Sequence, residues 1–388
     1  MILLDAPYVS DFLKKTVESL NQPVLDTPRA RSFAAGLDVD FIDETEFARR
    51  LQSGERVYTN SENSLDLIVR AAGDSDLARQ IETCKDKALF RETISALHPD
   101  YYFARVDPDR LDELDISDVP SPFVIKPARG FFSLGVHIVS GHDDWPGVVS
   151  AIRQERETLN AEYPEEVVDS GEFIIEEAID GEEYAIDVYY DGNGEPVITN
   201  ILYHQFASED DVSDRLYYTS SEIVEAMLEP FTEAVTEIGR ACDFRNFPIH
   251  LEVRVDGLGN IVPIEANPLR FAGWCVTDIT THAWGINPYE YYFNDMRPDW
   301  PAILKERAGK VYAMVIGDVP PQVDREKISV IDYDGFCGQF EKVLELRKID
   351  YKAYPLFAFA FTETDEMNLE SLKSVLCADF SPFVTTKD

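Results

Sequence analysis

The chain has 388 residues, 45% hydrophobic and 12% aromatic, enough apolar side chains for two or three buried cores. A formal net charge of −38 argues against nucleic acid or an anionic membrane as partner, because both demand a basic surface. No stretch approaches the length of a membrane span and the N-terminus lacks a basic, apolar signal, so a cytoplasmic protein is expected.

From Met1 to about Thr83, short apolar runs (Ile2 to Leu4, Val24-Leu25, Phe41-Ile42, Arg56 to Thr59) alternate with helical stretches, Val9 to Leu20 and Asn63 to Ala72. This reads as a small α/β unit without a Gly-rich dinucleotide fingerprint. Next comes Cys84-Lys85-Asp86-Lys87, and then Phe123-Val124-Ile125-Lys126-Pro127, a short apolar run ending on a cation. Ala128 to Gly135 forms a loop with Gly130, Ser133 and Gly135, and a second apolar run spans Val136 to Val139. Strand, loop and strand with a Lys at the base suit the covering of phosphates, although most such loops are only turns.

An acidic stretch, Gln154 to Asp169, precedes Phe173-Ile174-Ile175-Glu176-Glu177, a strand that runs into a connector containing Ile179 and Gly181. A new alternating strand begins at Glu183, and Ser221 to Cys242 has helical spacing. Two further alternating segments, Ile249 to Val255 and Asn260 to Pro268, flank Gly257 and Gly259 and read as a hairpin. If Gly257 to Asn260 form the loop, Asp256 pairs with Ile261 and Glu252 falls opposite Glu265, with Asn267 on the same face. Opposed carboxylates about 5 Å apart repel unless a cation sits between them, and Mg²⁺ typically takes one or two carboxylates and completes its shell with water and phosphates. The alternative is a solvated polar face with Arg254 neutralising one Glu. A one-residue slip would put the two carboxylates on opposite faces.

After Arg297-Pro298-Asp299-Trp300-Pro301 a C-terminal lobe begins, with strands at Val311 to Ile316, Ile328 to Tyr333 and Leu356 to Phe361 and a last helix near Leu369 to Leu376. Five widely spaced cysteines (Cys84, Cys242, Cys275, Cys337, Cys377) read as reduced thiols, Cys275 as a packing residue more than a substrate contact. The dense carboxylates fit either a salt-rich habitat or an ordinary solvated acidic surface.

The order of these pieces, from about Cys84 to Trp284, resembles the ATP-grasp superfamily, whose members include L-amino acid ligases, D-alanine-D-alanine ligase and biotin carboxylase. The resemblance implies an α/β chain with an N-terminal domain over 1–83, an ATP-grasp domain over 84–297 and a C-terminal lobe over 298–388. The middle domain would divide into a phosphate-loop lobe (about 84–180) and a metal-binding lobe (about 181–297). It implies that Lys126, Lys87 and Ser133 attend the phosphates of ATP, that Glu176, Glu177 and Ile179 hold adenine, the last two through their backbones, and that Glu183 binds the ribose hydroxyls. Glu252, Glu265 and Asn267 match the metal ligands, for Mg²⁺ or alternatively Mn²⁺. Arg270 sits near the Arg that touches the acyl phosphate, one residue later than in the Asn-Pro-Arg or Asn-X-Arg of many relatives. Phe131 and Phe132 stand where several relatives have Gly and Ser. His204 and His250 read as satisfied polar residues on strands of this half.

The expected activity is ATP-dependent joining of a carboxylate, an amino acid being the favoured bet, to an amine through an acyl phosphate. Lys126 and Arg270 would stabilise the transferred charge. A carboxylase-type use of the same chemistry and a catalytically silent nucleotide-binding module are the alternatives. The partners expected are small molecules; a homodimer is one open assembly, dimers being common among similar enzymes.

Overall fold

Ser10, Thr27 and Asp43 each precede a helical run, and each caps it: their side-chain oxygens accept from the backbone N–H of Leu13 (3.0 Å), Ala30 (3.0 Å) and Glu46 (2.8 Å). The capped helices, Asp11–Ser19, Pro28–Phe33 and Glu44–Gln52, alternate with strands β1 (Ile2–Leu3), β2 (Val24–Leu25), β3 (Phe41–Ile42) and β4 (Tyr58–Thr59). Helical crossovers make the sheet parallel, in the order β3-β2-β1-β4. The helical stretch expected from Asn63 starts as a tight turn, Glu62–Ser64, and becomes α-helix at Leu65. The computed structural model describes residues 1–130, 135–162, 171–208 and 214–387.

A second sheet is antiparallel. It contains β5 (Phe103–Val106), β6 (Phe123–Pro127), β7 (His137–Val139) and β8 (Phe173–Glu177) in the order β5-β8-β6-β7. Alternation sorts its faces: Phe123, Ile125, Val139, Phe173 and Ile175 pack against Trp145 and Val149 of helix Trp145–Glu162. Lys126 and Glu176 point the other way.

The third sheet positions the rest of the site. Strands β9 (Glu182–Tyr190), β10 (Pro196–Gln205), β11 (Leu216–Ser220), β12 (Phe247–Val255) and β13 (Ile261–Pro268) are joined by β14 (Lys310–Asp318), β16 (Lys342–Lys348) and β17 (Leu356–Asp365), while β15 (Ile328–Ile331) pairs with β18 (Val384–Thr386). The eight-stranded order is β13-β12-β9-β10-β11-β14-β17-β16, so the C-terminal strands continue the sheet that carries the hairpin. β11 and helix Ile279–Trp284 begin inside Gln205 to Tyr218 and Phe271 to His282, two stretches whose sequence reads as loops. β11 is wholly buried because β10 and β14 pair with both its edges.

One face of this sheet is apolar. Tyr184, Ile186, Val188 and Tyr190 join Phe231, Val235 and Ile238 of helix Ser221–Ala241 in a shared core. Burying each large apolar side chain contributes about 1.5–3 kcal/mol. Gly239 lets the helix come this close, because a Cβ there would lie 2.2 Å from the Tyr190 ring. The opposite face is polar, and the register aligns it in rows. Asn267, His250, Asp187 and Asn200 are cross-strand neighbours; so are Glu265, Glu252 and Ala185; and so are Arg254, Glu183, His204 and Tyr217.

Candidate active site

The hairpin reaches its expected pairing by an unexpected route. Val255, not Asp256, pairs with Ile261, and the strands stay one residue out until a bulge at Ile264 restores the register, so that Glu252 does lie opposite Glu265. Asp256 instead organises the loop, its Oδ1 accepting from the N–H groups of Leu258 and Asn260, each at 2.8 Å.

Glu252 and Glu265 are about a quarter exposed, and each has found a different cation. Lys87 Nζ lies 2.7 Å from Glu265 Oε1 and donates to the Gly130 carbonyl at 3.1 Å, tying the hairpin to the base of the loop. His250 Nε2 and Asn267 Nδ2 both lie 3.5 Å from Glu252 Oε1. Burial and the neighbouring Glu265 charge push the Glu252 carboxyl up, against the pull of His250. For Glu265, burial is outweighed by Lys87, and its carboxyl is held low. His250 is buried, yet Asp187, whose Oδ1 is 2.8 Å from Nδ1, and Glu252 outweigh the desolvation and raise it to about 9. Arg254 does not neutralise either hairpin carboxylate; it binds Glu183 Oε2 through Nε and Nη2, both 3.2 Å away.

Across the cleft the charges are buried and paired. Lys126 Nζ bonds to Glu176 Oε1, and Arg91 Nε donates to Glu176 Oε2 at 2.8 Å. Burial raises the Glu176 carboxyl, but the two cations outweigh it and leave it at about 2. Arg91 also lies 4.5 Å over the Tyr101 ring, and its two terminal nitrogens make no hydrogen bond.

The connector between β8 and β9 is fixed by protein contacts. The Glu177 carbonyl accepts from Tyr101 Oη at 2.7 Å and the Ile179 carbonyl from Arg254 Nη1 at 2.9 Å. Gly181 has φ +135°, and a Cβ there would meet the Val255 carbonyl at 2.2 Å, so only glycine passes the hairpin so closely. Glu183 is nearly buried, Oε1 accepting from His204 Nδ1 at 2.8 Å. Burial opposes its charge, but His204 and Arg254 keep its carboxyl low.

Arg270 enters through a left-handed turn. Leu269 has φ +57°, and its carbonyl accepts from Thr59 N–H at 2.9 Å, while Phe271 N–H donates to Tyr58 Oη at 3.3 Å. The extra residue after Pro268 is thus absorbed in a backbone reversal gripped by β4. Arg270 is mostly buried, its Nη2 2.5 Å and Nε 3.1 Å from Glu62 Oε1. Burial disfavours its charge, and Glu62 with the hairpin carboxylates more than compensates.

The sequence-predicted residues therefore fall into two facing groups, Lys126, Glu176 and the connector on one side and Glu183, Glu252, Glu265, Asn267 and Arg270 on the other, with Lys87 between. Ser133, Phe131 and Phe132 lie outside the described residues. Arg91, Asp187 and Glu62 complete the charge pattern and were not assigned roles from sequence, while His250, read there as a satisfied polar residue, is paired with Asp187 and Glu252; Arg91 follows Lys87 by one helical turn, a spacing that points to it. The donor set fits a hard divalent ion: two carboxylates converge with the Asn267 amide, whose Nδ2 faces Glu252, beside them, and Lys87 and His250 lie against the carboxylates in the places a cation would take. Among the described residues no group of three or more His, Cys, Asp or Glu is arranged to hold a metal ion. No described helix is long and apolar enough to cross a membrane.

Residues 119–278 match the family model of the ATP-grasp domain. An L-amino acid ligase from Bacillus licheniformis superposes with a TM-score of 0.70 over 100% of this chain and 98% of its own, at 17% identity. The chain has the ATP-grasp fold. The same fold is shared with N5-carboxyaminoimidazole ribonucleotide synthetase from Thermotoga maritima (TM-score 0.65, 17% identity, 99% of this chain and 98% of that one). It is shared too with biotin carboxylase from Campylobacter jejuni (TM-score 0.65, 10% identity, 100% and 91%). No curated protein sequence matches.

Proposed function

We propose that this ATP-grasp protein is an ATP-dependent ligase that joins a carboxylate, an amino acid in the favoured case, to an amine. The observation that carries the reading is the opposed Glu252–Glu265 pair with Asn267 beside it, facing Lys126 and Arg91 across a cleft that Lys87 spans. A carboxylate oxygen would attack the γ-phosphorus of ATP, the bond from that phosphorus to the bridging oxygen would break, and ADP would leave an acyl phosphate. An amine nitrogen would then form the new bond to carbon, with release of phosphate and a proton.

Each step asks the protein for position and charge rather than covalent chemistry. Lys126, held by Glu176, and Lys87 would meet the phosphates, Glu177 and Ile179 the adenine through backbone groups, and Glu183 the ribose; Ser133 belongs to the same proposal. Arg270 would stabilise the acyl phosphate or the tetrahedral oxyanion. Mg²⁺ at Glu252, Glu265 and Asn267, or Mn²⁺ in its place, would supply neutralisation of phosphate charge. The reading includes the division at about residues 84, 181 and 298, a cytoplasmic setting, small-molecule partners, and a homodimer to be checked by light scattering.

The fold shared with biotin carboxylase and the carboxyaminoimidazole ribonucleotide synthetase supports a second reading, activation of bicarbonate in place of an organic acid. Phosphate release from Mg-ATP, screened against single and paired amino acids and separately against bicarbonate, with mass spectrometry of products, separates the two. ADP and phosphate appearing only with a particular pair, with a product lighter than that pair by one water, supports the ligase. Bicarbonate-dependent release supports the second reading, and nucleotide binding without release under any condition overturns both.

A further inference from the structure

Glu62 comes 208 residues before Arg270 in the sequence, yet its carboxylate lies against that guanidinium. The turn that carries it is rigid. Ser61 Oγ accepts from Asn63 N–H at 3.2 Å, Ser64 Oγ donates to Asp5 Oδ2 at 3.1 Å, and the preceding strand β4 grips the backbone on both sides of Arg270. The fork geometry of an Arg–carboxylate pair normally engages both oxygens. Here Nε and Nη2 both converge on Oε1, and among the described residues no hydrogen bond falls on Oε2. The side chain is one-third exposed, so Oε2 is open to a further donor.

We propose that Glu62 binds the ammonium group of the acid that is activated at this site, and so makes the protein select an α-amino acid over a plain carboxylic acid. The inference rests on the ligase reading. Arg270 and Glu62 present a positive and a negative group in contact, the complement of a zwitterion whose carboxylate meets the guanidinium and whose ammonium meets Oε2. A carboxylate without an ammonium would enter a region already holding Glu62, Glu252 and Glu265, and repulsion from Glu62 would go unanswered.

Hydroxylamine, which intercepts an acyl phosphate as a hydroxamate without needing the natural amine, is the probe. Wild-type protein and Glu62→Gln are supplied with Mg-ATP, hydroxylamine and matched acids, such as alanine against propionate and lactate, over a panel of side chains. Wild type should convert amino acids with kcat/KM on the order of 10²-fold above their des-amino partners, the scale of one partly exposed charged contact. Glu62→Gln should lose most of that ratio by losing the amino acids, with nucleotide affinity unchanged, and Glu62→Asp should recover part of it. A thermal melt of each variant checks that it is folded. Equal loss for both classes would make Glu62 only a support for Arg270, and a wild type that prefers des-amino acids would reverse the assignment; either overturns the proposal while leaving the ligase reading standing. Hydroxamate from no acid at all would remove the ligase reading and this inference together.

Discussion

The two walls of the cleft handle charge in opposite ways. On the β6–β8 side Lys126, Glu176 and Arg91 are almost completely buried and paired, cation to anion to cation, with only the terminal nitrogens of Arg91 left without a hydrogen bond. On the hairpin side Glu252 and Glu265 stand directly opposed and partly exposed; Glu265 leans on Lys87 from a distant helix, and Glu252 on His250 of its own strand. The first wall is complete by itself and is poised to present positive charge. The second carries an excess of anion that an added divalent ion would relieve, which is why the proposal puts a metal there and phosphates toward the other side.

The comparison is sharpest where the hairpin pair is broken. Glu265→Gln should cut turnover by about 10³-fold or more while leaving the melting temperature within a few degrees, since its side chain is partly solvated. Steady-state phosphate release and a thermal melt check this, and retained activity would remove the metal assignment. Arg270→Ala should lower amide formation by about 10²-fold with nucleotide affinity spared. If neither step changes, its pairing with Glu62 is structural.

Lys126→Ala acts on the other wall. It should weaken ATP binding about 10-fold to 100-fold and destabilise the fold by about 3 kcal/mol, because Glu176 stays buried with one cation instead of two. Nucleotide titration and urea unfolding read the two effects separately. The same wall has a pH signature. Glu176 is held near 2 in the folded chain, below its unfolded value, so its contribution is complete above about pH 4.5 and fades as pH falls toward 2. Glu176→Gln should flatten that part of the acid-stability curve.

The smallest effect is expected without nucleotide. Millimolar Mg²⁺ should raise the melting temperature by about 1–3 °C in the wild type and by less in Glu252→Gln, as ligand linkage requires. An equal shift in both would place the ion elsewhere.

Much of this was legible in the sequence because alternation survives local error. The Glu252–Glu265 pairing followed from period-two counting, although the loop register was off by one, since a bulge at Ile264 leaves no mark in the apolar pattern. Of the capped helices of the N-terminal sheet only the first, within Val9 to Leu20, was read from the sequence; Pro28–Phe33 and Glu44–Gln52 were missed, although the caps at Thr27 and Asp43 are local signals that could have shown them. β11 and β16 were not, because Leu216–Ser220 carries polar and aromatic residues buried by two neighbouring strands, and Lys342–Lys348 is an amphipathic edge. Charge partners were the least visible part. That Lys126 finds Glu176, Lys87 finds Glu265 and Arg270 finds Glu62 is decided by how distant segments stack, and no spacing in the chain encodes it.

The continuity of the eight-stranded sheet bears on how the protein can be cut. A chain stopped near residue 297 would strip β14 from β11 and leave five fully buried residues, Leu216–Ser220, as a bare strand edge offering unpaired amides and apolar side chains to any neighbour. Such an edge is a template for strand addition between molecules. A chain truncated there should therefore be prone to aggregation, because β14 is what covers that edge of β11.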